Sequence, residues 1–332
     1  MKKMTDLKTA LACICLLSVL FSCSKGGDPT PTPTPVVHAD TLTAGWTKIQ
    51  VTTLSLNDVV FLNSSTGYAV ATGSLYKSTN GGASWSRLPF SFSTGTNLAV
   101  TADGKLFMVN NTDSIFRSAD GGATFTSIKT GYSGIDDIYF RDNNNGYCVH
   151  LNGMLQTTDG GITWTPVSPF AGVTIDATGY RSCAFINSTT GWITTGNDVY
   201  KTNGSINSWT KSIFNGISPD SRSVMVCPVT STLIYLGSAG SNIYRSTDGG
   251  ANFTSITDFA VTGGDGLFLD LHFFDANNAY ACFSNRIYKT TDGATTWTPV
   301  VSLGSERFIE IHFTDAAHGW GCTESGAILK LN

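Results

Sequence analysis

The chain has 332 residues, of which 41% are apolar and 13% charged, about half the charged share usual in soluble domains. The apolar content is enough for a packed core and excludes a disordered polypeptide, and 35 Gly against 10 Pro excludes a collagen-like one. A net charge of −4 with no basic block argues against a nucleic-acid-binding surface, which needs clustered Lys and Arg to displace phosphate counterions.

The first predicted element is an address. Lys2, Lys3 and Lys8 precede an apolar run over 9–21. That run is shorter than the roughly 20 residues a bilayer-spanning helix needs, and it fits a secretory signal. It ends in Leu20-Phe21-Ser22-Cys23, which resembles a bacterial lipobox. The resemblance implies removal of residues 1–22 and lipidation of Cys23; an ordinary signal cut nearby is the alternative. Residues 1–22 carry three Lys and one Asp, so their loss leaves a net charge of −6. Residues 23–40 then read as a tether. The alternating prolines from Pro29 to Pro35 favour extended polyproline II, at about 3.1 Å per residue. Such a spacer would hold a domain up to about 50 Å from a membrane. The expectation is a lipid-anchored protein of the bacterial envelope, in the outer membrane, periplasmic or surface-exposed, with residues 41–332 as its one folded domain.

Gly45-Trp46-Thr47-Lys48-Ile49 opens that domain and reads as a strand with no partner before it. A repeat of about 42 residues follows. Its clearest part is a glycine-rich turn closed by an aromatic at Trp85, Phe125, Trp164, Trp209, Phe253 and Trp297. Upstream of each turn lies an apolar run, a polar turn and a second apolar run, as in Asp58–Val70 and Asp137–Val149, which is hairpin grammar. A short third strand and the aromatic-led fourth complete a unit of propeller-blade size. The seventh copy begins at Glu310 and reaches only its third strand, over 327–330. Trp46–Val51 is therefore predicted to supply its fourth. The fold class expected is all-β, a seven-bladed propeller of four-stranded blades closed by the N-terminal strand.

The turns carry S/T-x-D-x-G-x-T/S-W/F, as in Ser118, Asp120, Gly122, Thr124 and Phe125, and in Thr157, Asp159, Gly161, Thr163 and Trp164. This pattern resembles the Asp-box, or BNR, repeat. Asn80 replaces Asp in the first copy, Ala294 replaces Gly in the sixth, and the fourth is degenerate. The resemblance gives Asn80, Asp120, Asp159, Asp248 and Asp292 a structural role, consistent with a short carboxylate accepting bonds from turn amides. Together with Gly191-Trp192 and Gly319-Trp320, the turns make residues 46–332 resemble the photosystem II stability/assembly factor-like propellers. Members of that group also occur in non-photosynthetic bacteria, so the resemblance implies a propeller and an assembly-factor-like binding role. Sialidases also carry Asp-boxes, but the chain has no FRIP-like start. Arg117 and Arg245 only stand where other copies have Lys77, Lys201 and Lys289.

Three candidate sites remain. Asp58, Asn97, Asp137, Ser182, Ser223, Asp270 and Glu310 stand at the heads of the inner strands and should ring one channel mouth. The expectation is solvated strand ends; a cation held by oxygen ligands is the alternative. Two positions on, His272 and His312 fall on adjacent blades, read as hydrogen-bonded side chains rather than metal ligands. The loops joining each blade to the next are longest over 168–181, 212–222 and 257–268. With 300–308 they hold Phe170, Asp176, Tyr180, Arg181, Asp220, Arg222, Asp265 and Arg307. Aromatics beside Arg and Asp compose a recognition surface. Five cysteines follow Cys23 without CxxC spacing and read as small buried hydrophobes. No cofactor and no metal is expected. The function read from these features is a monomeric, non-catalytic propeller binding an envelope or extracellular protein or glycan. The alternative is an extracellular glycoside hydrolase using carboxylates at the channel mouth.

Overall fold

The computed structural model describes residues 39–332, apart from 94–96, 111, 168–181, 196–197, 216–223, 239–241 and 259–267, with the backbone alone at 215, 224, 257, 258, 268 and 269. Among the described residues every regular element is a β-strand. The strands form seven sheets built in chain order, each with four antiparallel strands, the blades of a propeller. The first blade runs Leu56–Phe61, Gly67–Ala71, Ser74–Ser78 and Ser86–Arg87 from the centre outwards. The same order recurs to the sixth, Phe268–Phe273, Ala279–Phe283, Arg286–Thr290 and Thr298–Ser302.

The seventh blade comprises Phe308–Asp315, His318–Thr323 and Ala327–Leu331, completed by Trp46–Gln50. The N-terminal strand completes this blade as the sequence predicts, in a register that pairs Trp46 with Leu331 and Gln50 with Ala327. This strand covers an edge that would otherwise be open to another chain. Two short strands were not foreseen. Ile213–Asn215 runs parallel to Asn252–Thr254 on the fifth blade, and Thr41–Leu42 pairs with Val301 and Ser302 on the sixth. Strands of two or three residues leave no periodicity to read.

Burial explains the strand sequences. The second strands of blades one to six are buried along their whole length. Both faces of these sheets pack on neighbouring blades, so the strands are continuous apolar runs rather than alternating ones. The outer strands Ser86–Arg87 and Thr165–Pro166 are exposed.

Between blades the core is built from aromatic stacks. Phe61 of blade one lies on Trp320 of blade seven, with centroids 3.4 Å apart. Phe107 and Phe140, Tyr147 and Phe185, Tyr235 and Phe273, and Tyr280 and Phe313 repeat the contact across four other seams, at 3.8–4.6 Å. Each such pair adds about 0.5–1.5 kcal/mol beyond its buried area. Gly67, Gly146, Gly191 and Gly319 are small because the inner-strand phenylalanine lies where a Cβ would stand. That contact gives the recurring Gly-Tyr and Gly-Trp pairs their structural meaning.

Candidate functional site: the channel mouth and its rim

The inner-strand heads place four acids at one end of the channel. Each follows a β-bulge: the register shifts between Leu56 and Asp58, Ile135 and Asp137, Phe268 and Asp270, and Phe308 and Glu310. The strands thus begin two residues earlier than expected, on an apolar residue. A bulge re-aims the side chain beside it. Here it turns the carboxyl sideways into the seam between blades.

The carboxylates hold the ring together there. Asp58 Oδ2 accepts the Leu98 N–H at 2.6 Å, Asp137 Oδ2 the Cys183 N–H at 3.1 Å, and Asp270 Oδ2 the Ile311 N–H at 3.0 Å. Each donor belongs to the inner strand of the next blade. Asp270 Oδ1 also accepts the Leu271 N–H at 2.6 Å. Asp58 and Asp270 are buried, at 2% and 5% exposure. The expectation of solvated strand ends is therefore corrected for these two: the bulge trades water for backbone amides.

Withdrawal from water favours the neutral acids. Burial pushes Asp58 and Asp270 up to about 7 and Asp137 up to about 6, against the bonds from backbone amides that pull them down. Glu310 is pushed well above the usual range, by burial first and then by the charges of Asp58 and Asp270. Asp58 Oδ1 is buried with no hydrogen-bond partner among the described residues. Among the described residues no three His, Cys, Asp or Glu side chains converge as a metal site.

One layer further along the inner strands, His312 Nε2 donates to the Phe61 carbonyl at 3.2 Å, and Tyr139 Oη to the Phe185 carbonyl at 2.8 Å. His272 packs between Phe274 and Phe313. Burial pushes both histidines down to about 4, so they are neutral at pH 7. The five cysteines are free thiols, four of them buried.

Of the predicted loop residues, Phe170, Asp176, Tyr180, Arg181, Asp220, Arg222 and Asp265 lie outside the described residues, as does Cys23. Arg307 is described. Its Nε donates to Glu324 Oε2 at 3.0 Å and its backbone N–H to Glu324 Oε1 at 3.2 Å. Beside it, Glu306 pairs with Lys48 and accepts from the Thr323 and Ser325 hydroxyls, while Lys48 reaches Asp40 at 2.8 Å. Asp40 Oδ1 accepts the Gly304 N–H at 3.0 Å. The chain thus enters the propeller on the rim of this same mouth. Sequence reading missed this network because Asp40 and Lys48 stand some 260 positions from Gly304 and Glu306.

The turn aspartates face away from this chemistry. Asp120 accepts from Ser118 Oγ, Thr124 N–H and Thr124 Oγ1 at 2.8, 2.9 and 2.6 Å. Asp159, Asp248 and Asp292 repeat the set with their own turns, and Asn80 Oδ1 accepts from Ser78 Oγ and the Ser84 N–H. Hydrogen bonds from Thr163 and Thr296 lead in holding Asp159 and Asp292 down at about 2.

Residues 50–283 match the family model described as the DUF6242 beta propeller domain. No curated protein matches the chain in sequence. Among solved structures, YCF48 from Cyanidioschyzon merolae superposes with a TM-score of 0.70 at 19% identity, covering 87% of this chain and 99% of that one. A structure of YCF48 bound to D1 peptide gives 0.69 at 17% identity, over 88% and 99% of the two chains. The GH74 enzyme of Niastella koreensis gives 0.65 at 16% identity, and 87% of this chain covers 54% of it. At these identities the likeness is one of fold. The family match extends from the closing strand to the second strand of the sixth blade, and the chain belongs to the DUF6242 beta propeller domain family.

Proposed function

We propose that the chain is a lipid-anchored, non-catalytic propeller of the bacterial envelope that binds a protein partner through the loops around the channel mouth. The observation that carries this reading is the use of the channel acids. Asp58, Asp137 and Asp270 accept amides of the next blade. Carboxyls committed to closing the ring are poorly placed to exchange protons with a substrate, which leaves recognition to the rim. The propeller YCF48, whose fold this chain shares, has been solved with a bound peptide. Cys23 and the proline tether supply the anchor, and Arg181, Arg222 and Arg307 the charged anchors of the rim, the first two outside the described residues.

The test is cross-linking on intact cells, comparing the natural chain with the Arg181→Ala, Arg222→Ala double variant. Loss of the captured partner in the variant is expected; unchanged capture would rule out the loop face. Glycan turnover by the purified chain, abolished by Asp137→Asn or Asp270→Asn, would overturn the non-catalytic reading in favour of a hydrolase. Incorporation of a labelled fatty acid, lost in Cys23→Ser, checks the anchor.

A further inference from the structure

Four of the seven seams share a device that the seam between blades six and seven leaves open. A second-strand aromatic stands in register with a third-strand residue: Tyr68 with Lys77, Phe107 with Arg117, Trp192 with Lys201, Tyr235 with Arg245, Tyr280 with Lys289, and Trp320 with Lys330. In blade three the pair is Tyr147 with Gln156. In blades one, two, four and seven a member of the pair grips the glycine turn of the next blade. Tyr68 Oη and Lys77 Nζ both donate to the Gly121 carbonyl, at 3.1 and 2.8 Å. Arg117 Nε donates to Gly160, Trp192 Nε1 to Gly249 and Trp320 Nε1 to Gly81, at 2.9, 3.1 and 3.0 Å. Each turn also donates to the first hairpin of its own blade: Gly81, Gly160, Gly249 and Gly293 donate to the carbonyls of Ser65, Asn144, Thr232 and Asn277.

Tyr280 and Lys289 face the seventh blade. Its third and fourth strands come from distant parts of the sequence and no turn joins them. Lys289 Nζ stands over the Tyr280 ring at 5.5 Å, as Lys77 does over Tyr68 at 5.4 Å. Among the described residues neither Lys289 Nζ nor Tyr280 Oη has a hydrogen-bond partner. Among the described residues the Ala317 carbonyl, in the place of Ser65, receives no glycine N–H. Beside Tyr280 and Lys289 lies a cavity of about 240 Å³, lined also by Phe274, Asp275, Asn278 and by Ala316, the neighbour of Ala317.

We propose that this cavity is a docking slot for a glycine-rich β-turn presented by a partner polypeptide. Two donors converge where four other seams hold a peptide carbonyl, and the Ala317 carbonyl stands where blades one, three, five and six receive their own turn's N–H. The slot is on the opposite end of the blades from the channel mouth, so the proposal stands apart from the loop-face reading. A turn carbonyl suits it better than a free anion, because the Asp275 carboxylate lines the same cavity and repels negative charge. Glycine is required for the backbone to approach closely and to take positive φ, as Gly249 and Gly250 do at 75° and 85°.

The probe is a labelled, disulfide-closed peptide copying residues 243–256, titrated into the full chain and followed by fluorescence anisotropy. Saturable binding is expected. It should be weakened about tenfold by Lys289→Ala, as for a lost charge-assisted bond, and abolished by the cavity-filling Ala316→Trp. Lys129→Ala, an exposed cation elsewhere, should leave it unchanged. A peptide with both glycines replaced by alanine should not bind. No saturation up to about 1 mM, or equal affinity in Lys289→Ala, would overturn the proposal. So would displacement of the peptide by inorganic phosphate that itself binds through Lys289, which would make the slot an anion site. Self-association of the chain that depends on Lys289 would assign the slot to a second copy and equally overturn it.

Discussion

Single residues at the channel mouth tie stability to pH. Asp58, Asp137 and Asp270 bind protons more tightly in the folded chain than in the unfolded one, Asp58 and Asp270 up to about 7 and Asp137 up to about 6, chiefly because burial disfavours the charged form. The folded state therefore carries more protons, and its stability falls as pH rises from about 4 through about 7. Each tenfold difference in proton affinity is worth about 1.4 kcal/mol, so thermal unfolding should show a lower melting temperature at pH 8 than at pH 5. The exposed turn carboxylates act in the opposite sense. Asp159, Asp248 and Asp292, held down at about 2, contribute stability above about pH 4 that is lost as pH falls further. The two trends place the optimum near pH 4–5. In Asp58→Asn the side-chain oxygen still accepts the Leu98 N–H and no charge is buried. That variant should melt higher than the natural chain at pH 8 and depend less on pH. A steeper loss above pH 6 in the variant would count against the assignment.

At the scale of one turn, the sixth copy departs from the others. Its second glycine position holds Ala294, at φ 67° and fully buried. In the fifth blade the same position is Gly250 at φ 85°, and a Cβ there would collide with the Trp192 indole. Gly250→Ala should cost about 2–4 kcal/mol from positive φ and overpacking together. Ala294→Gly should be nearly neutral, since relief of backbone strain offsets a lost buried methyl worth about 0.8 kcal/mol. Chemical denaturation of both variants checks the pair, and equal effects would mean that Trp192 yields. The turn aspartates give a milder case. Asp120→Ala removes three hydrogen bonds at an exposed site, and a loss of stability smaller than that of Gly250→Ala is expected.

For the whole molecule, the closing strand decides whether the ring exists. Trp46 is buried, stands edge-on to Tyr280 at 6.2 Å and packs with Leu329. Trp46→Ala should cost about 3–5 kcal/mol. A chain lacking residues 41–50 should expose the Ala327–Leu331 edge and associate, which light scattering would detect. A monomer of unchanged melting temperature would show that the ring is held without this strand. Closure also accounts for the scarcity of charge. Second strands buried on both faces leave the hairpin turns and outer strands as surface, and turns use Ser, Thr, Asn and Gly for their backbone chemistry.

The repeat period, the turn pattern and the unpartnered Trp46 were enough to read seven four-stranded blades and their closure from the sequence, because each blade is a local unit whose strands follow one another. The acids at the channel mouth were equally visible as a column, but their environment was not. Whether Asp58 meets water or the Leu98 amide depends on a bulge and on the blade 40 residues further along. The rim network of Asp40, Lys48 and Glu306 joins residues from the two ends of the domain, and the slot at Lys289 exists only because the seventh blade is assembled from both. Local hydrogen bonding and hydrophobic period are properties of neighbouring residues. Burial, proton affinity and an unfilled seam arise only when distant segments share a surface, and the tertiary structure alone decides them.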